Sequence, residues 1–196
     1  EYVAVLNDKD TKTDLKSWVS IENNSGKKYK DAKLKLVAGD VNLVTAPRRP
    51  DYAYNDGIRM AKSEMAGVSF EEKDFFEYHI YNLQRKTTLA NNETKQISLF
   101  ESDNINIEKK YFFKSNNYGR QNKVAVIVQF KNKKDNNLGV PMPKGKVRVY
   151  KSDGDDIEFI GEDWIDHTPK NEEVKLKIGD AFDVLAEEVQ KDHKRI

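Results

Sequence analysis

The stretch from residue 138 to residue 184 constrains the fold most, because apolar and polar residues alternate along it in three successive segments. Asp153-Gly154 separates the first two segments and supplies residues that tolerate the positive φ angles of a tight hairpin turn. Successive side chains of a β-strand point to opposite faces, so this alternation predicts strands with one buried face. The apolar positions are Val147 and Val149, then Ile157, Phe159 and Ile165, and, after a turn at 168–171, Val174, Leu176 and Ile178.

Similar alternation recurs through the rest of the chain, and helical patterns are scarce. Residues 124–130 are apolar on both faces, which is typical of a strand in the middle of a sheet. Residues 184–191 are the best helix candidate, but the spacing of Phe182 and Val184 also fits a last strand. The sequence therefore predicts an all-β fold, an antiparallel immunoglobulin-like sandwich with little helix.

A similarity between two segments of the chain, which we call the sequence echo, predicts two lobes. In the segments 19–36 and 128–149, a strand ends in asparagine, a loop rich in Lys and Asn follows, and a small residue opens the next strand. Two related sandwich lobes are the simplest cause, although unrelated antiparallel strands share this pattern. We place the first lobe at 1–116, with a long irregular loop near 45–68, and the second lobe at 117–196.

Composition argues against several classes of partner and site. The 34 Lys and Arg residues nearly balance the 33 Asp and Glu residues and are spread along the chain, so nothing indicates nucleic-acid binding. No run of apolar residues is long enough to span a bilayer. The chain has no cysteine, which rules out disulfides, thiolate zinc sites and cysteine nucleophiles within it.

Acidic residues and a histidine crowd one short segment near the end of a predicted strand. Glu162, Asp163, Asp166 and His167 offer the oxygen and imidazole ligands that divalent metals take. On a strand, however, Asp163 and His167 share one face and Asp166 points to the other. We therefore favour a hairpin end, in which Asp166 and Thr168 cap the turn and His167 bonds to the backbone, and we predict no metal and no other cofactor.

Two tryptophans could supply flat apolar surfaces for stacking on sugars or for gripping a protein partner. Large aromatic residues of a sandwich are more often part of the core, and this interpretation suits Trp18, which lies opposite Val19 and Ile21 along its strand. Trp164 lies between Asp163 and Ile165 and is the better surface candidate. No common catalytic motif occurs in the sequence, so we predict no catalytic residues.

Six segments that are spread along nearly the whole chain outside 45–67 carry a resemblance to a known family. Together they resemble the bacterial family called domain of unknown function 4139, which is the C-terminal region of mucoidy inhibitor A-like proteins and occurs in other exported bacterial proteins. The most specific segments are PMPKGKVRVY at 141–150 and GEDWIDHTP at 161–169, and the others are 18–23, 32–40, 77–81 and 92–95.

The resemblance implies a bacterial protein located in the periplasm, outside the cell or in the cell envelope. The family has no established activity, so we expect a non-catalytic module with a structural or protein-binding role. Its members usually continue with another strand pair, and this chain stops at Ile196. The second lobe is therefore expected to be incomplete, with an exposed sheet edge through which the chain could form a homo-oligomer.

Two further functions stay open at this stage. The first is a carbohydrate-binding module that holds a polysaccharide on Trp18 and Trp164. The second is a metal-dependent hydrolase that uses Asp163, Asp166 and His167.

Overall fold

The fold is all-β, as the sequence predicts. A 3-10 helix at Lys134–Asn136 is the one helical element in the part of the chain that the structure describes. The predicted lobe boundary at 116, the long loop near 45–68 and the last seven residues all lie outside the described residues. The structure is a computed structural model, and it describes residues 1–39, 70–75, 78–83, 85–114, 123–187 and 189.

The strands match the alternating segments closely, and β13 extends through Val184, where the sequence left helix and strand open. In chain order the described strands are β1 (Tyr2–Leu6), β2 (Lys12–Asn23), β3 (Tyr29–Ala32), β4 (Lys35–Ala38), β5 (Phe70–Phe75), β6 (Tyr78–Leu83), β7 (Thr87–Leu89), β8 (Glu93–Asn106), β9 (Glu108–Phe112), β10 (Lys123–Lys131), β11 (Gly145–Asp153), β12 (Asp156–Ile165) and β13 (Glu173–Leu185).

The chain divides into two compact units, and strands β2 and β8 contribute residues to both. The first unit contains Glu1 and Lys16–Glu101, and the second contains Tyr2–Leu15 and Ser102–Ile196. The first unit has the antiparallel sheet β4-β6-β5 and the pair β3-β7. Its core is a cluster of Tyr81, Leu83, Ile97 and Leu99.

The second unit has an antiparallel three-stranded sheet, β13-β10-β9, and the β1, β11 and β12 part of a five-stranded sheet whose order is β12-β11-β1-β2-β8. β10 is the central strand of its sheet, as its apolar composition predicts. β1 runs parallel to β11, with Tyr2 opposite Val147, which differs from the antiparallel pairing that we expected. The fully buried apolar residues of this unit include Leu6, Val128, Val147, Val149 and Leu176.

The predicted hairpin between β11 and β12 is confirmed. Asp153 pairs with Asp156, which leaves Gly154 and Asp155 as the two-residue loop. Only Gly154 of the predicted Asp153-Gly154 pair has a positive φ, at 62°. A glycine with positive φ at the first loop position is typical of hairpin turns that match strand twist.

A β-bulge in β12 separates residues that the sequence groups in one apolar set. Gly161 pairs with Val149, but Phe159 already pairs with Tyr150, so Ile160 is an extra residue. An extra residue reverses the face to which the side chains before it point. Ile165 is consequently buried, whereas Phe159 is 54% exposed.

A buried asparagine, Asn132, joins two loops at the end of β10. Its Nδ2 donates hydrogen bonds to the carbonyl oxygens of Val140 and Pro169 at 2.7 and 2.8 Å. Its Oδ1 accepts hydrogen bonds from the N–H groups of Gly139 and Val140 at 2.9 and 3.2 Å. The Asn171 N–H also donates to the Asn132 carbonyl at 2.7 Å. We call this arrangement the asparagine clasp.

Asn23 forms the same arrangement in the first unit, at the end of β2. Its Nδ2 donates to the carbonyl oxygens of Lys27 and Ala90, both at 2.8 Å. The Asn92 N–H donates to the Asn23 carbonyl at 2.7 Å, and Asn92 has a positive φ of 55° where its counterpart Asn171 has 71°. The asparagines that end both halves of the sequence echo therefore have equivalent structural roles.

Candidate functional site

Exposed apolar side chains lie on the outer side of the β11–β12 hairpin. Val147 and Val149 point into the core, so the side chains that alternate with them point outwards. The register places Trp164 and Phe159 on this outer side, opposite Lys146 and Tyr150, and the bulge at Ile160 turns Phe159 outwards. We call this surface the aromatic face, formed by Tyr150, Ile157, Phe159 and Trp164.

The aromatic face is more exposed than is usual for large apolar residues in a sandwich. The exposed fractions are 69% for Trp164, 59% for Ile157 and 54% for Phe159. Tyr150 and Phe159 meet edge to face, with ring centroids 5.5 Å apart. The prediction that Trp164 lies at the surface is confirmed.

Charged side chains lie between the two ends of the aromatic face. The Lys146 ammonium donates a hydrogen bond to Glu162 at 2.9 Å and lies 5.8 Å from the centroid of the Trp164 ring. Arg148 pairs with the same carboxylate at 3.7 Å. The hydrogen bond from Lys146 lowers the pKa of Glu162 from its ordinary value. Two cations thus share one anion, so this row carries a net positive charge.

The structure gives Asp163 a backbone-binding role. Its Oδ1 accepts a hydrogen bond from the Trp164 N–H at 2.8 Å, and its Oδ2 accepts one from the Lys177 N–H at 2.7 Å. The second bond joins β12 to β13. Because both carboxylate oxygens already accept backbone hydrogen bonds, the geometry does not favour metal ligation by Asp163.

Asp166 and His167 lie in the connection between β12 and β13, which belong to different sheets, so the hairpin that we expected here is not formed, although His167 does bond to the backbone. The His167 Nδ1 accepts a hydrogen bond from the Lys144 N–H at 3.2 Å, and the Thr168 hydroxyl donates to the Asp166 carbonyl at 2.9 Å. Met142 and Thr168 bridge the backbone beside them. Among the described residues, no group of three or more Asp, Glu or His side chains could hold a metal ion.

Trp18 is half-buried and belongs to the first unit, whereas Trp164 belongs to the second. The Trp18 indole Nε1 donates a hydrogen bond to a Glu1 carboxylate oxygen at 3.2 Å. The Trp18 N–H also donates to the Glu1 carbonyl at 3.0 Å. Trp18 is therefore held by Glu1 at the start of the chain, and Trp164 is the more exposed of the two tryptophans.

A polar cluster that the sequence did not indicate lies on the outer side of the β13-β10-β9 sheet. The Gln129 Nε2 donates hydrogen bonds to Glu108 at 3.0 Å and to Glu173 at 3.1 Å, and Gln129 is only 8% exposed. These residues line a cavity of about 420 Å³. A pair of carboxylates could suggest glycoside hydrolysis, but here the amide of Gln129 lies between them and donates to both.

Asp10 forms a second charged cluster that sequence analysis did not find. Its carboxylate oxygens lie 2.5 Å from the Lys109 ammonium and 2.6 Å from the Lys151 ammonium. Burial raises the pKa of Asp10, but the hydrogen bonds and charges of the two lysines outweigh burial and hold it below its ordinary value. The hydrogen bond to Asp10 raises the pKa of Lys109. The cluster thus joins the β1–β2 turn to β9 and β11.

Replacing Asp10 with asparagine is expected to reduce the free energy of unfolding at pH 7 by about 1 to 2 kcal/mol, because two partly exposed ion pairs are lost. A carboxyl with a lowered pKa stabilises the fold above its unfolded pKa and loses this effect as the pH falls through the folded value. The difference in stability between wild type and D10N should therefore begin to shrink as the pH falls below about 4 and should vanish below the folded pKa. Urea unfolding at several pH values tests this, and a constant difference down to pH 2.5 would contradict it.

No family model matches the chain, and neither a curated protein nor a solved structure matches it. The resemblance to domain of unknown function 4139 therefore stays a prediction. In the part of the chain that the structure describes, no helix is long and apolar enough to cross a membrane.

Proposed function

We propose that this chain is a non-catalytic β-sandwich module that binds a protein partner through its aromatic face. We further propose, from the resemblance alone, that it belongs to an exported or envelope-associated bacterial protein. We also propose that its strands are connected as in an immunoglobulin-like domain.

The exposure of Trp164, Phe159 and Ile157 on one side of one hairpin carries this proposal. Arg148 and Glu162 lie between Trp164 at one end and the group of Phe159, Ile157 and Tyr150 at the other. Exposed apolar groups that are combined with charged ones are typical of protein interfaces. Tryptophan, tyrosine and arginine are the residues most enriched among those that dominate binding energy at protein interfaces. Trp164, Tyr150 and Arg148 supply all three types on the outer side of β11 and β12.

The hydrogen bonds of Asp163 and His167 support the non-catalytic part of the proposal. Each side chain accepts hydrogen bonds from backbone N–H groups, and Asp163 joins β12 to β13. These contacts give both side chains a structural role, Asp163 between β12 and β13 and His167 in the connection that follows β12.

The capture of partners from an envelope extract tests the protein-binding role. We expect the wild-type chain to retain a partner that the double variant F159S/W164S fails to retain. Phe182 is also exposed but lies on β13, outside the aromatic face, so F182S is the matched control and should retain the partner. Equal retention by all three proteins, or equal loss from both variants, would contradict a role for the aromatic face.

A carbohydrate-binding module is the second candidate, because the exposed ring of Trp164 could stack on a sugar. The chain has two tryptophans, so the fluorescence of a W18F variant reports on Trp164 alone. A polysaccharide that stacks on this ring should shift its emission to shorter wavelength, and F159S in the W18F background should weaken binding. Unchanged emission across a panel of bacterial polysaccharides would argue against this candidate.

Self-association through a sheet edge is a further part of the proposal. Within the described residues, β9 is an outer strand of the β13-β10-β9 sheet, and its Tyr111 and Phe112 side chains are exposed. Edge strands present backbone groups that can pair with another chain. Sedimentation equilibrium tests this, since a monomer at all concentrations would contradict it.

A further inference from the structure

A second surface of the second unit carries an excess of positive charge. A cavity of about 420 Å³ lies at the loop after β10 and the turn before β13. Three lysines and one aspartate provide its charged groups, so positive charge exceeds negative charge by two. The lining residues are Lys133, Lys134, Asp135, Gly139, Lys170 and Asn171.

Two of these lysines have no carboxylate partner within the described ranges. The ion pairs of this unit neutralise other lysines, such as Lys109, Lys146 and Lys177, but neither Lys133 nor Lys134 takes part in one. Lysine ammonium groups in a concave surface favour a negatively charged ligand, because they raise the local concentration of anions.

The asparagine clasp holds the two walls of the cavity together. The buried side chain of Asn132 donates to Val140 in one segment and to Pro169 in the other. Gly139 brings the chain close to Lys134, since a Cβ at Gly139 would lie 2.7 Å from both the Cγ and the backbone nitrogen of Lys134. The backbone under the lysines is therefore ordered before any ligand binds, which lowers the entropic cost of binding.

We propose that this cavity binds an oxyanion, a phosphate or carboxylate group that is either free in solution or carried on a polymer. Lysine suits such a ligand as a compact point charge with three donors. Asn171 at the rim adds an amide that can donate to the same oxygens. This site is independent of the aromatic face, because no residue of one belongs to the other.

Calorimetric titration with inorganic phosphate and, separately, with polygalacturonate tests the proposal at low chloride concentration. We expect the wild-type chain to bind at least one probe, and the double variant K133Q/K134Q to bind it about tenfold more weakly, since two attractive charges are lost. Binding of phosphate alone indicates a free ion, and binding of polygalacturonate alone indicates a polymer.

The control is K9Q/K12Q, which removes the same charge from the β1–β2 turn and its flank, outside the cavity. It should bind as the wild type does. Equal weakening in both double variants would overturn the site in favour of a general charge effect, and so would unchanged binding in K133Q/K134Q. Failure of the wild type to bind either probe would also overturn it. K170Q removes the third lysine of the cavity and is titrated in the same way. The unfolding midpoint of each variant separates lost binding from lost folding.

Discussion

Replacing Asn132 with alanine is expected to lower the free energy of unfolding by about 3 to 5 kcal/mol, which is among the largest effects of a single substitution. The asparagine side chain is completely buried and makes four hydrogen bonds to the backbone. Alanine leaves two carbonyl oxygens and two N–H groups without these partners, and each unsatisfied buried group is destabilising. Denaturant unfolding monitored by circular dichroism measures the loss.

Two variants test the reason for this loss. In N132D the carboxylate can still accept from Gly139 and Val140 but cannot donate to Val140 and Pro169, so we expect it to be strongly destabilised as well. Asn24 is exposed, and N24A should change the stability by less than about 0.5 kcal/mol. A loss below about 1 kcal/mol in N132A would contradict the importance of the clasp.

The equivalent substitution in the first unit, N23A, should also be destabilising. Asn23 is buried, and its Nδ2 donates to the carbonyl oxygens of Lys27 and Ala90, as the Nδ2 of Asn132 donates to two carbonyl oxygens in the second unit. A large effect in both variants would show that the sequence echo reflects an equivalent energetic role. A large effect in N132A alone would restrict that role to the second unit.

Replacing Gly161 with alanine is expected to reduce the free energy of unfolding by about 2 to 4 kcal/mol, because the new methyl group overlaps backbone atoms. A Cβ at this position would lie 2.3 Å from the carbonyl oxygen of Ile178. That oxygen belongs to β13, so β12 and β13 would have to separate. The hydrogen bond from the Lys177 N–H to Asp163 would then lengthen or break.

Gly179 supplies the matched control for Gly161. It lies on β13 next to Ile178, but a Cβ there would have no heavy atom within 4 Å. G179A should therefore leave the unfolding midpoint almost unchanged, whereas G161A lowers it. Equal effects of the two substitutions would show that strand separation is not the cause.

The candidate site was only partly predictable from the sequence. The position of Trp164 between Asp163 and Ile165 indicated a surface tryptophan, because neighbouring residues on a strand face opposite sides. The Glu108–Gln129–Glu173 cluster and the Asp10 cluster were not predictable. Their members lie far apart in the sequence, and only pairing between strands brings them within hydrogen-bond distance.

The sequence by itself determined the all-β class, the position of most strands and the hairpin at Gly154. These features depend on local physics, since side-chain alternation encodes which face of a strand is buried, and glycine and asparagine tolerate the φ angles of turns. Asn23 at the end of β2 and Asn132 directly after β10 were also visible in the sequence echo, although their hydrogen bonds were not.

Only the tertiary structure decided which strands pair and where the alternation breaks. β1 pairs with β11 in parallel, because alternation specifies a face of a strand and not its partner or direction. The bulge at Ile160 turned Phe159 outwards, and Gly161 allows the close approach of β13. Phe159 and Ile157 therefore join Trp164 on the aromatic face because of one extra residue in a strand, a feature that hydrophobic periodicity does not reveal.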